Sequence, residues 1–432
     1  MSLYRTLLLV GLLGWAVLIF DTAWAQVARA LGEVTVDDLV AQALADNLEL
    51  HATQAEVAAA QGRLQQAGLR PNPVLELGVQ HNVAGPDNNL TASVTLPLDL
   101  NGRQAGRLGV ASGELEMKRA QVAERARRLR AEVRLKAGEL LAAQRNLRLT
   151  EELLQINQQA LVLLQSRVSR GAAPPLEANL LRVEVNRLDA SRHLRASQVE
   201  VQALYLKTLL GLGPDAPLRL QGDLRTPPVL LERDAGLAQA LATRPDLWMA
   251  QAEVAMAEAA VRKEQAEGRW DASVNVGYMR QDAGYDLRGL TARGGTQPIQ
   301  DVFHYVGAGV AITLPVRQQN QGNIAAALAS VTAAQRRLTL VTLTIRQEVT
   351  AAFTQYDASQ HALDIYTHGV HEVARQNLAV VRQAYELGRW SLLDLIAEQR
   401  RYLDIATGYT ESLKQVYDAV LEIERTVGTP AR

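Results

Sequence analysis

The sequence of 432 residues contains no cysteine. It can therefore build no disulfide framework, thiolate metal site or cysteine nucleophile, and no acylated cysteine can follow an export signal. Phenylalanine is nearly absent, with three in the chain, while Ala, Leu, Arg, Glu and Gln dominate. That composition points to long helices packed by small residues rather than to a thick globular core. A net charge of −1 speaks against a nucleic-acid partner. Beyond Phe20 no apolar run approaches the roughly 20 residues of a membrane-spanning helix, so any membrane-embedded part must be a β-barrel. Catalytic signatures are missing as well: there is no HExxH, no GxSxG and no P-loop. Gly211-Leu212-Gly213 imitates the start of a dinucleotide fingerprint but precedes Pro214, the wrong context. The expectation is a protein that is not an enzyme and needs no cofactor.

The first residues read as a secretory signal, with Arg5, an apolar run from Leu7 to Phe20, and Ala23-Trp24-Ala25 as the small-x-small cleavage signature. The expected signal covers 1–25, with a mature start near Gln26. An uncleaved anchor is the rival reading, and the shortness of the run weighs against it.

A duplication organises the rest. Residues 39–60 match 236–257, Leu44 aligning with Leu241 and Ala55-Glu56-Val57-Ala58 with Ala252-Glu253-Val254-Ala255. Leu96-Pro97-Leu98 matches Leu314-Pro315-Val316, Gly171 matches Gly388, and Gly211 matches Gly428. The spacing grows by about 20 residues within the unit, so the second copy carries an insertion, placed in the polar stretch 282–302. The expected division is a first repeat over 26–211, a Pro-rich linker over 212–233, a second repeat over 234–428 and a tail over 429–432. The first repeat has a helix from Val36 (N-cap Thr35) to Leu69, a β-hairpin over 74–98 and a long helical hairpin over 102–211. The second has a helix, strands at 272–281 and 303–315, and a helical hairpin over 317–428.

The strand segments alternate cleanly. Leu75, Leu77 and Val79 oppose Glu76, Gly78 and Gln80; Leu90, Ala92, Val94, Leu96 and Leu98 oppose Thr91, Ser93, Thr95 and Pro97. In the second copy Val274, Val276 and Tyr278 oppose Ser273, Asn275 and Gly277, and Val306, Ala308, Val310 and Ile312 oppose Gly307, Gly309 and Ala311. A soluble antiparallel sheet shows the same alternation. Four such segments in two repeated hairpins behind an export signal favour transmembrane barrel strands. Four strands cannot close a barrel, and open edges are not tolerated in lipid. Copies must therefore share one, and a cyclic trimer would supply twelve strands.

Neither Gly102 to Arg170 nor Gln318 to Gly388 contains proline. Helices of that length reach about 100 Å, as a coiled coil or tunnel wall requires. Leu129, Val133, Leu140, Leu141, Leu147, Leu154, Leu161 and Leu164 recur at packing intervals. The Arg-rich stretch 118–136, interleaved with Glu124 and Glu132, reads as a solvated helix face.

With these features the chain resembles the TolC family of outer-membrane efflux proteins over nearly its whole mature length. The resemblance rests on the opening Val36-Asp37-Asp38-Leu39, on Arg70-Pro71-Asn72-Pro73, on Leu96-Pro97-Leu98-Asp99-Leu100-Asn101-Gly102-Arg103, and on Tyr385-Glu386-Leu387-Gly388. The RPNP and NGRQAGR stretches most resemble the heavy-metal branch, the CzcC-like and CnrC-like subunits. The resemblance implies a mainly α fold with a transmembrane β part, in which a trimeric twelve-stranded barrel continues into an α-helical periplasmic tunnel. It also implies a homotrimer in the lipid of the Gram-negative outer membrane. An inner-membrane pump of the resistance–nodulation–division class would deliver substrate, divalent heavy metals or else organic solutes, through a periplasmic adaptor. By the same resemblance Asp394 falls on the first aspartate of the periplasmic gate, Tyr385 on a residue holding it closed, and Ala397 on the second aspartate, with Glu398 beside it. The adaptor-contacting turns would be Gly171, Ala172 and Ala173 with Pro174, and Gly388, Arg389, Trp390 and Ser391.

Two further readings follow from the residues. His361, Asp364, His368 and His371 share one face of an ideal helix and are suitable ligands for zinc, cobalt or nickel, although a polar outer face explains them too. A periplasmic coiled-coil scaffold is the rival function, and the duplicated strand-plus-helix unit speaks against it.

Overall fold

The computed structural model describes residues 34–83, 87–225, 229 and 231–428. The expected signal 1–25, the tail 429–432 and part of the linker (226–228 and 230) lie outside them. The elements are α1 (Val36–Asp46), α2 (Leu48–Ala67), β1 (Val74–His81), β2 (Asn88–Leu98), α3 (Arg103–Ser169), α4 (Pro175–Leu209), α5 (Arg233–Thr243), α6 (Pro245–Glu267), β3 (Asp271–Leu290), β4 (Thr296–Thr313), α7 (Gln321–Asp364), a π-helical turn (Ile365–His371), α8 (Glu372–Glu386) and α9 (Leu392–Val427).

The chain divides into two compact units. One holds the described residues of 1–53, 122–244 and 342–432; the other holds 54–121 and 245–341. In the first, Leu39, Leu129, Val133, Leu140, Leu206 and Leu210 form a core with Leu413, Tyr417 and Leu421 of α9. Of the packing positions in α3 named above, Leu147 and Leu161 are half-buried and the rest are buried. The second unit carries the sheet. There α3 and α6 approach so closely that a Cβ on Gly113 would stand 2.9 Å from the Met256 Cα, and one on Gly106 2.7 Å from the Lys263 Cα. Small residues replace a thick core, as the composition requires.

The helix expected to run unbroken from Val36 to Leu69 is two helices. Thr35 caps α1 in a reciprocal box with Asp38. Asn47 then turns extended (φ −68°, ψ 119°), accepts the Leu50 N–H and donates to the Leu209 carbonyl, both at 2.9 Å. The second copy breaks at the matching place, because Arg244 precedes Pro245 and is pushed out of helical geometry. Asn101 and Asn320, also repeat-related, both take left-handed conformations (φ 62° and 59°) where strand passes to helix. Their amides reach the Trp270 and Glu264 carbonyls at 2.6 and 2.9 Å.

Three more expectations are corrected. The strands expected at 272–281 and 303–315 are parts of longer ones, β3 and β4, because the inserted stretch folds as their continuation across a register shift between Tyr285 and Arg288, although β4 ends at Thr313, two residues early. The proline-free run over 318–388 is interrupted by the π-helical turn. The Arg-rich stretch is tied to neighbouring acids rather than only solvated. Arg127 is buried on Glu124 at 2.7 Å, Arg125 meets Glu49 at 2.5 Å, and Arg134 meets both Asp37 and Glu424.

Candidate channel face and helical turns

The sheet has order β1-β2-β3-β4, antiparallel throughout, with β2 pairing β3 across the two repeats. Its register lines up like side chains in rows. Leu77, Ala92, Tyr278 and Val306 form one row, and Leu75, Val94, Val276 and Ala308 the next. This face lies open: Leu77 is 72 % and Val306 81 % exposed, whereas Leu129 of the helical core is 0 % exposed. The opposite face carries Ser93, Thr95, Ser273, Asn275, Gly307 and Gly309. Among the described residues, β1 and β4 each leave one edge without a strand partner in the sheet. Among the described residues no helix is long and apolar enough to cross a membrane.

The two helical turns lie in the other unit and share one construction. Ala172 donates to the Arg167 carbonyl (2.8 Å) and Gly171 to Val168 (2.9 Å). Arg389 donates to Ala384 and Gly388 to Tyr385, both at 2.9 Å. Gly171 (φ 69°) and Gly388 (φ 71°) hold the left-handed position this closure demands, which side chains resist. A common apolar cluster joins the turns, with Leu164, Ala178, Leu181, Leu392 and Ile396 packed beside Ala173 and Tyr385. Trp390 stays half exposed, at 50 %.

Asp394 is exposed, and its carboxylate is engaged as a helix cap. It accepts the Ser391 hydroxyl at 2.6 Å and the Ser391 N–H at 3.2 Å, while the Asp394 N–H donates back to the hydroxyl. Glu398, expected beside it at the gate, is instead 7 % exposed and turned into its own protomer, bonded to Arg401 at 3.1 Å. One turn of helix separates the two residues, and the second falls on the packed side of α9. Burial, with Glu177 nearby, pushes the Tyr385 hydroxyl pKa up, while Arg167 opposes the shift. Glu177 is the first-copy counterpart of Asp394 at the Gly171–Gly388 spacing, a signal in the sequence that the reading of single sites passed over. Another such residue is Glu184, 1 % exposed, held by Arg187 of α4 and Arg400 of α9, both at 2.6 Å.

The four suggested metal ligands do not converge; among the described residues no group of three or more His, Asp or Glu could hold an ion. Asp364 and His368 meet at 3.0 Å. His371 stacks instead on Tyr409, with 4.5 Å between centroids. The reason is the π-helical turn, which spends more residues per turn than the 3.6 the spacing assumed and rotates His371 off the shared face. Burial and Arg145 together hold the His371 pKa below its usual value.

A sheet that exposes its apolar face and leaves both edges open, in a chain that also builds paired long helical hairpins, is the construction of a TolC-like outer-membrane channel. The chain belongs to the Outer membrane efflux protein family, whose profile matches residues 39–212 and 236–429. It is 24 % identical over 406 residues to the cobalt-zinc-cadmium resistance protein CzcC of Cupriavidus metallidurans, covering 93 % of this chain and 91 % of that one. Among solved structures it is similar to the outer-membrane channel OprN (TM-score 0.72, 20 % identity, 91 % of this chain and 89 % of that one). It is also similar to CusC (0.71, 16 %, 91 % of each chain) and to VceC from Vibrio cholerae (0.69, 19 %, 91 % and 96 %). The protein is thus an outer-membrane efflux channel and not an enzyme.

Proposed function

We propose that the chain is one third of a homotrimeric export duct, sent across the inner membrane by its signal peptide. Three copies close β1 of one against β4 of the next into a single barrel in outer-membrane lipid. The observation that carries this is the sheet, with its exposed apolar face and two open edges. In hydrocarbon each unpaired backbone group costs several kcal/mol, so closure between copies is the arrangement that lipid permits. Substrate comes from an inner-membrane pump of the resistance–nodulation–division class through a periplasmic adaptor, which docks on the turns at Gly171–Ala173 and Gly388–Ser391. Divalent heavy-metal cations are the substrate class best supported, by the similarity to a cobalt-zinc-cadmium resistance protein.

The gate lies at those turns. Asp394 of each copy gathers like charge about the axis, which draws cations and is relieved when one is bound. Tyr385 packs against the first hairpin beside Glu177 and holds the second hairpin in place. Deleting the gene tests the whole reading. Metal tolerance should fall and return with the intact gene, and the protein should fractionate with the outer membrane and migrate differently with and without heating. Unchanged tolerance to every divalent metal would remove the substrate assignment, and soluble fractionation would remove the duct.

A further inference from the structure

The face of the sheet opposite its apolar band changes character along its length. Towards the strand ends that join the helices it carries Ser273, Asn275, Gly277, Gly307, Gly309 and Ala311, all small or polar. Further on, the same alternation sets Met279 opposite Tyr305, Gln281 opposite Phe303, Ala283 opposite Asp301, and Tyr285 opposite Ile299. Phe303 and Tyr305 lie side by side, 6.5 Å between ring centroids and tilted by 32°. Tyr305 and Tyr285 are about half exposed. In a chain so poor in phenylalanine, one of three falls here. Charge on this face is of one sign. Asp301 and Glu76 belong to it, whereas Arg280 alternates to the other face and is held there by Asp282 at 3.0 Å.

We propose that this aromatic and acidic patch is a binding site for bulky organic cations of the quaternary ammonium or phosphonium class. Ring faces attract cations whose charge is spread and weakly hydrated, and the carboxylate of Asp301 adds a field that no basic group on this face offsets. A small divalent ion holds its water tightly and gains little from rings, so the patch sorts cations by class rather than by charge alone. Placing the patch in the lumen rests on the barrel reading above, in which the face away from lipid lines the channel. The small residues nearer the helices leave that stretch without such a site, and the cation is held towards the far end of the wall.

The test is calorimetric titration of the full chain in detergent with tetraphenylphosphonium. Phe303→Ala with Tyr305→Ala should weaken binding about tenfold, and Asp301→Asn severalfold. Tyr278→Ala, on the opposite face, should leave it unchanged. The isosteric anion tetraphenylborate should bind at least about tenfold more weakly than the cation. Equal affinity for the anion, or unchanged affinity in the double variant, would overturn the site. The same samples are run on gels with and without heating. Heat-dependent migration with no cation preference rejects the patch alone, and absence of heat-dependent migration rejects the barrel reading and the lumenal site with it.

Discussion

The two helical hairpins of the first unit are copies in backbone and opposites in surface. At both turns a glycine near φ 70° closes the same pair of hydrogen bonds. The first turn then runs through Ala172, Ala173, Pro174 and Pro175, and α4 begins on proline without a side-chain cap. The second presents Arg389 and Trp390 and begins α9 with the Ser391–Asp394 box. The helices leading to the turns differ too: α3 runs 67 residues without a break, while the path to the second turn passes through a π-helical turn. Duplication preserved what the backbone needs, and the acidic residue of the following turn (Glu177, Asp394), while the side-chain cap, aromatic surface and irregularity gathered in the second copy. Irregular turns of this kind often mark functional positions in helices.

The comparison can be broken first where the hairpins meet. Glu184→Ala leaves Arg187 and Arg400 without their shared carboxylate. It should cost about 2 kcal/mol, less than a fully enclosed pair because both arginines are half exposed. Hydrogen exchange should quicken in α4 and α9 together, and a change confined to α4 would mean that the link does not join the hairpins. Next come the turns. Gly171→Val and Gly388→Val should each cost about 1–2 kcal/mol by thermal unfolding, equally in both copies. Adaptor crosslinking should fall further with Trp390→Ala than with Ala173→Ser if the second turn carries the docking chemistry. Asp394→Ala should lose about 1 kcal/mol of capping and also the charge of the proposed gate, whereas Asp394→Asn keeps a capping side chain and loses only the charge. Both should reduce divalent-cation block of bilayer conductance; block lost in the alanine variant alone would assign the effect to the cap.

The smallest effect is a pH dependence of the π-helical turn. His371 titrates below its usual 6.5 because it is half-buried and feels Arg145 of α3 and Arg375 of α8, with Glu372 opposing and Tyr402 and Tyr409 of α9 beside it. A histidine with a lowered folded pKa keeps the native state fully stable above about 6.5. As pH falls, the unfolded chain takes the proton first and stability declines. Amide protection at 365–371, corrected for the intrinsic pH dependence of exchange, should therefore fall between pH 7.5 and pH 5, and His371→Phe should flatten that response.

Much of this architecture was written in local patterns. Alternation fixed which side chains share a face of the sheet, because a period of two survives any twist or tilt. The duplication located the turn glycines, since only backbone requirements made Gly171 and Gly388 alike. Three features were hidden. Asn47 ends a helix by a side-chain bond to Leu209, a partner 162 residues away that no local pattern names. The π-helical turn replaced the ideal helix on which the histidine face was drawn. Glu398 falls beside the Asp394 gate position by resemblance, but packing against the first hairpin sets it on the inner side of α9.

The absence of cysteine makes the central claim, that copies close edge to edge, directly measurable. A cysteine is placed on β1 at Leu77 and a second is scanned along β4 through Val306, Ala308 and Val310, followed by mild oxidation in isolated outer membranes. The account predicts covalent dimers and trimers, and nothing larger, at one or two of these positions. Monomer at every position, or a ladder that continues past three, would contradict it.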